Sequence, residues 1–122
     1  MVLLKKIVLD DDYEYLDPHQ IFDESDPKSF KMYTLAKACA DVLNYYIENT
    51  PDAFGNAPYA RLDGFMNGYI LGLGMELDRK KEVWDIRKGK RIVLRIEVPK
   101  KPQAYYEALK DNAETFSKVF AD

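Results

Sequence analysis

Histidine and cysteine occur once each in this chain of 122 residues, as His19 and Cys39, and tryptophan occurs once, as Trp84. Nucleophilic, acid–base and metal-assisted mechanisms need several such groups converging on one point, so the scarcity argues against catalysis. His19 lies in an acidic stretch, where an imidazole is ordinarily solvated. Cys39 falls in an apolar helical pattern, where a reduced thiol behaves as a small hydrophobe, and a lone cysteine forms no internal disulfide. No glycine-rich loop with a following lysine–serine pair occurs, and no glycine pattern stands in a dinucleotide-binding context. Asp10, Asp12 and Glu14 alternate as extended-chain ligands could, but the glycine and terminal glutamate of a calcium loop are missing. The expectation is a protein without enzyme activity, cofactor or metal.

Long apolar runs are lacking too. The longest uncharged stretch, Gly64 to Met75, is interrupted by Asn67 and is shorter than the roughly 20 residues that a membrane helix needs. The opening Met-Val-Leu-Leu-Lys-Lys-Ile places its basic residues after the apolar ones, the reverse of a secretion signal. A cytoplasmic protein with no membrane contact is expected. Apolar residues make up 47% of the chain and charged residues 32%, which suits one self-folding domain spanning residues 1–122.

Periodicity predicts the elements. Residues 2–9 read as a strand, and Asp10 to Pro27, with Pro18 and Pro27 as breakers, as a loop holding one short helical turn. Asp26-Pro27 is a helix start, and the helix is expected to run to Glu48. Its polar stripe of Thr34, Lys37, Asp41, Asn44 and Glu48 covers only about 80°, so the remaining arc must be buried on several sides. A second helix is expected from Pro58 to Gly72, capped by Gly74. Gly64, Gly68 and Gly72 recur there at every fourth residue, and each costs a helix interior about 1 kcal/mol relative to alanine. That cost predicts a close neighbour on the glycine face, with Ala36 and Ala40 of the first helix as candidates. Asp63 and Asn67 stand one turn apart beside it.

Three β runs follow, Met75 to Asp78, Glu82 to Arg87 and Arg91 to Val98, and a final helix begins at Pro102 with Tyr105, Leu109, Phe116, Val119 and Phe120 on its apolar face. The order β-α-α-β-β-β-α predicts an α+β fold, a small antiparallel sheet of three or four strands with three helices packed on one face.

Charge is distributed unevenly. Residues 1–78 hold 6 basic and 14 acidic residues, whereas residues 79–101 hold 10 basic and 3 acidic. The basic stretch reads in two ways. Its cations can simply solvate a sheet edge, where they discourage edge pairing. Alternatively, Arg79, Lys80, Lys81, Arg87, Lys88, Lys90, Arg91 and Arg95 form a ribbon for nucleic-acid phosphates, with Trp84 to stack on a base.

The acidic stretch supports a third reading. Eight carboxylates between Asp10 and Asp26 are interleaved with Tyr13, Tyr15, Leu16, Ile21 and Phe22. Acids steer a chain toward a basic partner, and aromatic residues anchor the centres of interfaces. On this reading Asp10, Asp11, Asp12, Tyr13, Glu14, Tyr15, Asp17, Asp23 and Glu24 bind the basic surface of a nucleic-acid-handling protein, as an inhibitor or adaptor of the kind phages and mobile elements encode. The opposite charges also allow a self-complementary homodimer.

Overall fold

The computed structural model describes residues 1–10, 13–49, 56–104 and 107. They form an α+β fold. The strands are β1 (Val2–Leu4), β2 (Lys6–Asp10), β3 (Tyr13–Leu16), β4 (Glu76–Arg79), β5 (Val83–Lys88) and β6 (Arg91–Glu97); the helices are α1 (Ser29–Asn49) and α2 (Ala57–Gly72). A third helix, α3, begins at residue 100 and is described over residues 100–104. The expected apolar face of that helix, from Tyr105 onward, lies outside the described residues, as does most of the connection between α1 and α2.

The main sheet has the order β1-β6-β5-β4. The three later strands form the expected antiparallel meander, with the β5–β6 turn closed by Gly89 at φ +63°. The sheet is nevertheless mixed, because β1 lies parallel to β6 with Val2 opposite Leu94 and Leu4 opposite Ile96. A parallel neighbour requires a long crossover, and the two helices between β1 and β4 supply it. One face of the sheet presents Leu4, Leu77, Trp84, Ile86, Leu94 and Ile96 to the core. Against it lie Leu35, Ala36, Cys39, Ala40, Val42 and Leu43 of α1 and Met66 and Ile70 of α2. α1 is the central element its narrow polar stripe implied.

Besides the parallel placement of β1 and the division of residues 2–9 at Lys5 into strands of two different sheets, two further expectations are corrected. The segment from Asp10 to Pro27 is not simply a loop: β3 pairs antiparallel with β2 in a separate hairpin, and only the turn Pro18–Ile21 is helical, of the 3-10 type. Tyr13 and Tyr15 favour extended backbone, and the charge of Glu14 between them is met by Lys6 across the hairpin at 3.0 Å.

The second correction concerns Gly64, Gly68 and Gly72. All three are exposed, and a Cβ at any of them would meet nothing within 4 Å. Ala36 and Ala40 are buried elsewhere in the core. At 100° per residue Gly68 stands roughly 160° from Met66, so burying Met66 and Ile70 turns the glycines outward. Phe65 and Leu71, which flank the stripe, are exposed with them. α2 ends as proposed: Gly74 has φ +70°, its N–H donates to the Leu71 carbonyl, and the Met75 N–H reaches back to Ile70. This double bond pattern is the Schellman cap, in which a left-handed residue satisfies the last carbonyls.

Candidate protein-binding face

The basic ribbon is largely neutralised by its own sheet. Arg95 forks Asp85 through Nε at 2.6 Å and a terminal nitrogen at 3.1 Å, and Lys80 reaches the other side of the same carboxylate at 3.0 Å. Asp85 is fully buried beneath them, and the Arg95 hydrogen bonds, reinforced by Lys80, hold its carboxyl below the ordinary range despite burial. Arg87 stands 2.8 Å from Asp78 and 3.5 Å from Glu76. Its Nε makes no well-directed hydrogen bond, so the Asp78 contact is one of charge. Lys81 pairs with Glu107.

Arg79 belongs to the opposite face. It donates to Asp63 at 2.7 Å and to Asn67 at 3.3 Å, and its guanidinium lies 5.0 Å from the centre of the Trp84 ring. The indole is itself buried in the core. Asp63 and Asn67 therefore form a hydrogen-bonded helix surface that anchors β4, and a base has no access to stack on Trp84. Of the predicted phosphate ligands, Lys88, Lys90 and Arg91 remain exposed around the Gly89 turn without an ion pair among the described residues.

The predicted acidic surface is divided rather than continuous. Asp11 and Asp12 lie outside the described residues, and Asp10 is exposed at the end of β2. Glu14 turns inward and is 5% exposed; one carboxylate oxygen meets Lys6 and the other has no hydrogen-bond partner. It serves the fold and presents no charge to a partner. Tyr13 and Tyr15 are half-buried, with ring centres 6.5 Å apart.

Asp17, Asp23, Glu24 and Asp26 meet solvent around the start of α1. Asp17 caps the 3-10 turn: Oδ1 accepts the His19 N–H at 3.0 Å and lies 2.9 Å from His19 Nδ1. Those hydrogen bonds, the backbone one first, hold its carboxyl below the ordinary range. Asp23 Oδ1 accepts from the Ser25 hydroxyl at 2.7 Å and the Ser25 N–H at 3.0 Å, with the same consequence. Asp26 Oδ1 accepts the Lys28 N–H at 2.9 Å. Each aspartate is thus held by one oxygen, while no described residue bonds the other. Ser29 locks the segment by donating from Oγ to the carbonyls of Asp23 and Asp26, both at 2.8 Å.

Four rings gather beside these carboxylates. Phe22, His19 and Phe30 surround Tyr33, with centroid separations of 5.1, 5.4 and 6.4 Å. Phe30 is 61% exposed and Phe22 37%. Sequence reasoning names Phe22 but misses Phe30 and Tyr33: the helical pattern puts Tyr33 on the buried arc and does not single out Phe30. The signal was present: Tyr33 follows Phe30 by three positions on the first turns of α1, so the two share a side.

His19 and Cys39 are not a pair. The imidazole is at the surface, whereas the thiol is fully buried and burial pushes it up to about 12. Among the described residues no three His, Cys, Asp or Glu side chains converge as a metal site would require, and no helix is long and apolar enough to cross a membrane. No family model, curated protein or solved structure matches this chain.

Proposed function

We propose that the chain is a non-catalytic binding protein that acts through protein–protein contact, using the acidic aromatic face at the start of α1 to engage a basic partner. Inhibition or recruitment of a nucleic-acid-handling protein fits that chemistry, since carboxylates compete for the surface that phosphates occupy. The observation carrying the reading is a contrast in charge pairing. Several carboxylates elsewhere meet cations, Glu14 with Lys6, Asp41 with Lys37, Asp63 with Arg79, Asp78 with Arg87 and Asp85 with Arg95, while Glu48, Glu82 and Glu97, which make no ion pair among the described residues, stand apart from one another in the chain. Asp23, Glu24 and Asp26 have no ion pair among the described residues, and beside them Phe22 and Phe30 remain uncovered.

An aromatic centre with a charged rim is the anatomy of an interface that gains affinity at its middle and steering at its edge. The face is narrower than the whole segment from Asp10 to Asp26. Asp17, Asp23 and Glu24 belong to it, Asp26 joins them, and Glu14 is withdrawn.

The test is affinity capture from the source cells with the wild-type chain and with an Asp23→Asn, Glu24→Gln variant. The wild type should retain a basic protein that the folded variant releases at lower salt. Equal retention by both would remove this face from the reading.

A further inference from the structure

The group this face takes from its partner follows from the rings as much as from the acids. We propose that it receives arginine rather than lysine side chains, guanidinium planes lying on Phe22 and Phe30 while their N–H groups reach the unbonded oxygens of Asp23 and Asp26. This rests on the reading of the acidic face above and specifies its partner.

Charge complementarity alone would admit either cation. The uncovered rings discriminate between them. A guanidinium is planar, weakly hydrated and able to stack on an aromatic face while donating at its edge, whereas an ammonium is a compact, strongly hydrated point charge. Phe22 and Phe30 both stand against Tyr33, at ring-centre distances of 5.1 and 6.4 Å, which narrows their orientations without a partner. The carboxylates are equally fixed, each aspartate by hydrogen bonds to one oxygen. Acceptors and rings already held in place lose little freedom on binding, which favours a guanidinium that stacks on a ring while donating from its edge, a combination an ammonium does not supply. Lys28 and Lys31 are the cations of the same segment and are exposed. They repel a partner of either kind equally and leave the discrimination to the rings.

The chain can be tested against two fluorescent octapeptides of equal charge, one alternating arginine with serine and the other lysine with serine, by anisotropy over a salt series. The arginine peptide should bind about tenfold more tightly, which corresponds to one or two stacked contacts. Phe30→Ala, a change at an exposed ring, should reduce the preference, Phe22→Ala with Phe30→Ala should bring the two peptides level, and Asp23→Asn, Glu24→Gln should weaken both. Equal affinities that fall in the acid variant would overturn the arginine assignment while leaving the acidic face in place. No binding of either peptide at low salt would remove both. An arginine preference untouched by Phe30→Ala would place recognition elsewhere and overturn the proposal. Concentration-dependent sedimentation lost in Phe30→Ala, without peptide binding, would make a second copy of the chain the occupant and overturn it as well.

Discussion

The Asn44 side chain grips the main chain of Leu16 from both sides: Oδ1 accepts its N–H at 3.0 Å and Nδ2 donates to its carbonyl at 2.7 Å. One residue of a helix thereby does for β3 what a neighbouring strand would do, and the hairpin is fixed to the C-terminal third of α1. Removing the amide leaves both backbone groups to find water. Each lost bond costs on the order of 1 kcal/mol, so Asn44→Ala should lower stability by roughly 2 kcal/mol, whereas Asn44→Asp should lose only the donor. Urea unfolding of the three proteins measures the order. Amide exchange at Leu16 should rise more than exchange in the middle of β5.

Lys6 and Glu14 make a second hairpin anchor with different arithmetic. Glu14 is nearly enclosed while Lys6 stays partly in water, so losing the lysine harms the pair more than losing both charges. Lys6→Met should destabilise by about 2–3 kcal/mol because it strands a buried carboxylate. Adding Glu14→Leu should recover at least half of that loss. A thermal-melt double-mutant cycle checks this, and simple additivity of the two changes would contradict it.

These two anchors explain what the sequence did and did not disclose. The meander from Glu76 to Glu97 was legible because the alternation of β6 marks its core face and its turn carries Gly89, although Asp85 and Val93 are buried on the other face. α1 was legible from the narrowness of its polar stripe, and the Gly74 cap from one residue type. β3 was hidden by its charge: Glu14 looks like solvated acid until Lys6, eight positions earlier, is placed diagonally across the hairpin from it. Asn44 likewise reads as one more polar position on a stripe. The glycine stripe is a misleading signal: its cost suggests a close neighbour, whereas its angle to Met66 and Ile70 turns it to solvent. Within the candidate face, Asp17, Asp23 and Glu24 could be named from composition. Their difference from Glu14 is one of long-range pairing, and a single sequence does not reveal which acid will find a lysine.

Asp85 gives the fold a dependence on acid. Its carboxyl titrates below the ordinary value of 3.8 in the folded chain because Arg95 and Lys80 stabilise the anion. A lowered folded-state value means that the contribution is complete above the unfolded value and is lost as pH falls through the folded one. Asp17 and Asp23 are shifted in the same direction. Melting temperature should therefore be flat from neutrality to about pH 5 and fall below about pH 4. Asp85→Asn should be less stable at pH 7 and show a shallower fall, so the two curves converge in acid. Parallel curves would mean that other groups carry the acid response.

The runner-up reading, nucleic-acid binding by the basic ribbon, yields a numerical bound. Arg79, Lys80, Arg87 and Arg95 would have to abandon carboxylates 2.6 to 3.5 Å away to meet phosphates, and Trp84 would have to leave the core. Of the predicted phosphate ligands, only Lys88, Lys90 and Arg91 are at hand without that cost among the described residues. Each phosphate neutralised on duplex DNA contributes about −0.9 to the slope of log K against log salt, so three cations give a slope no steeper than roughly −3. Binding by so few contacts should vanish near physiological salt. A filter-binding or anisotropy series with a random duplex should show at most this slope, removed entirely by Lys88→Glu, Lys90→Glu, Arg91→Glu. A slope of −6 or steeper would require the paired arginines to have left Asp63, Asp78 and Asp85, and would make the ribbon, not the acidic face, the functional surface.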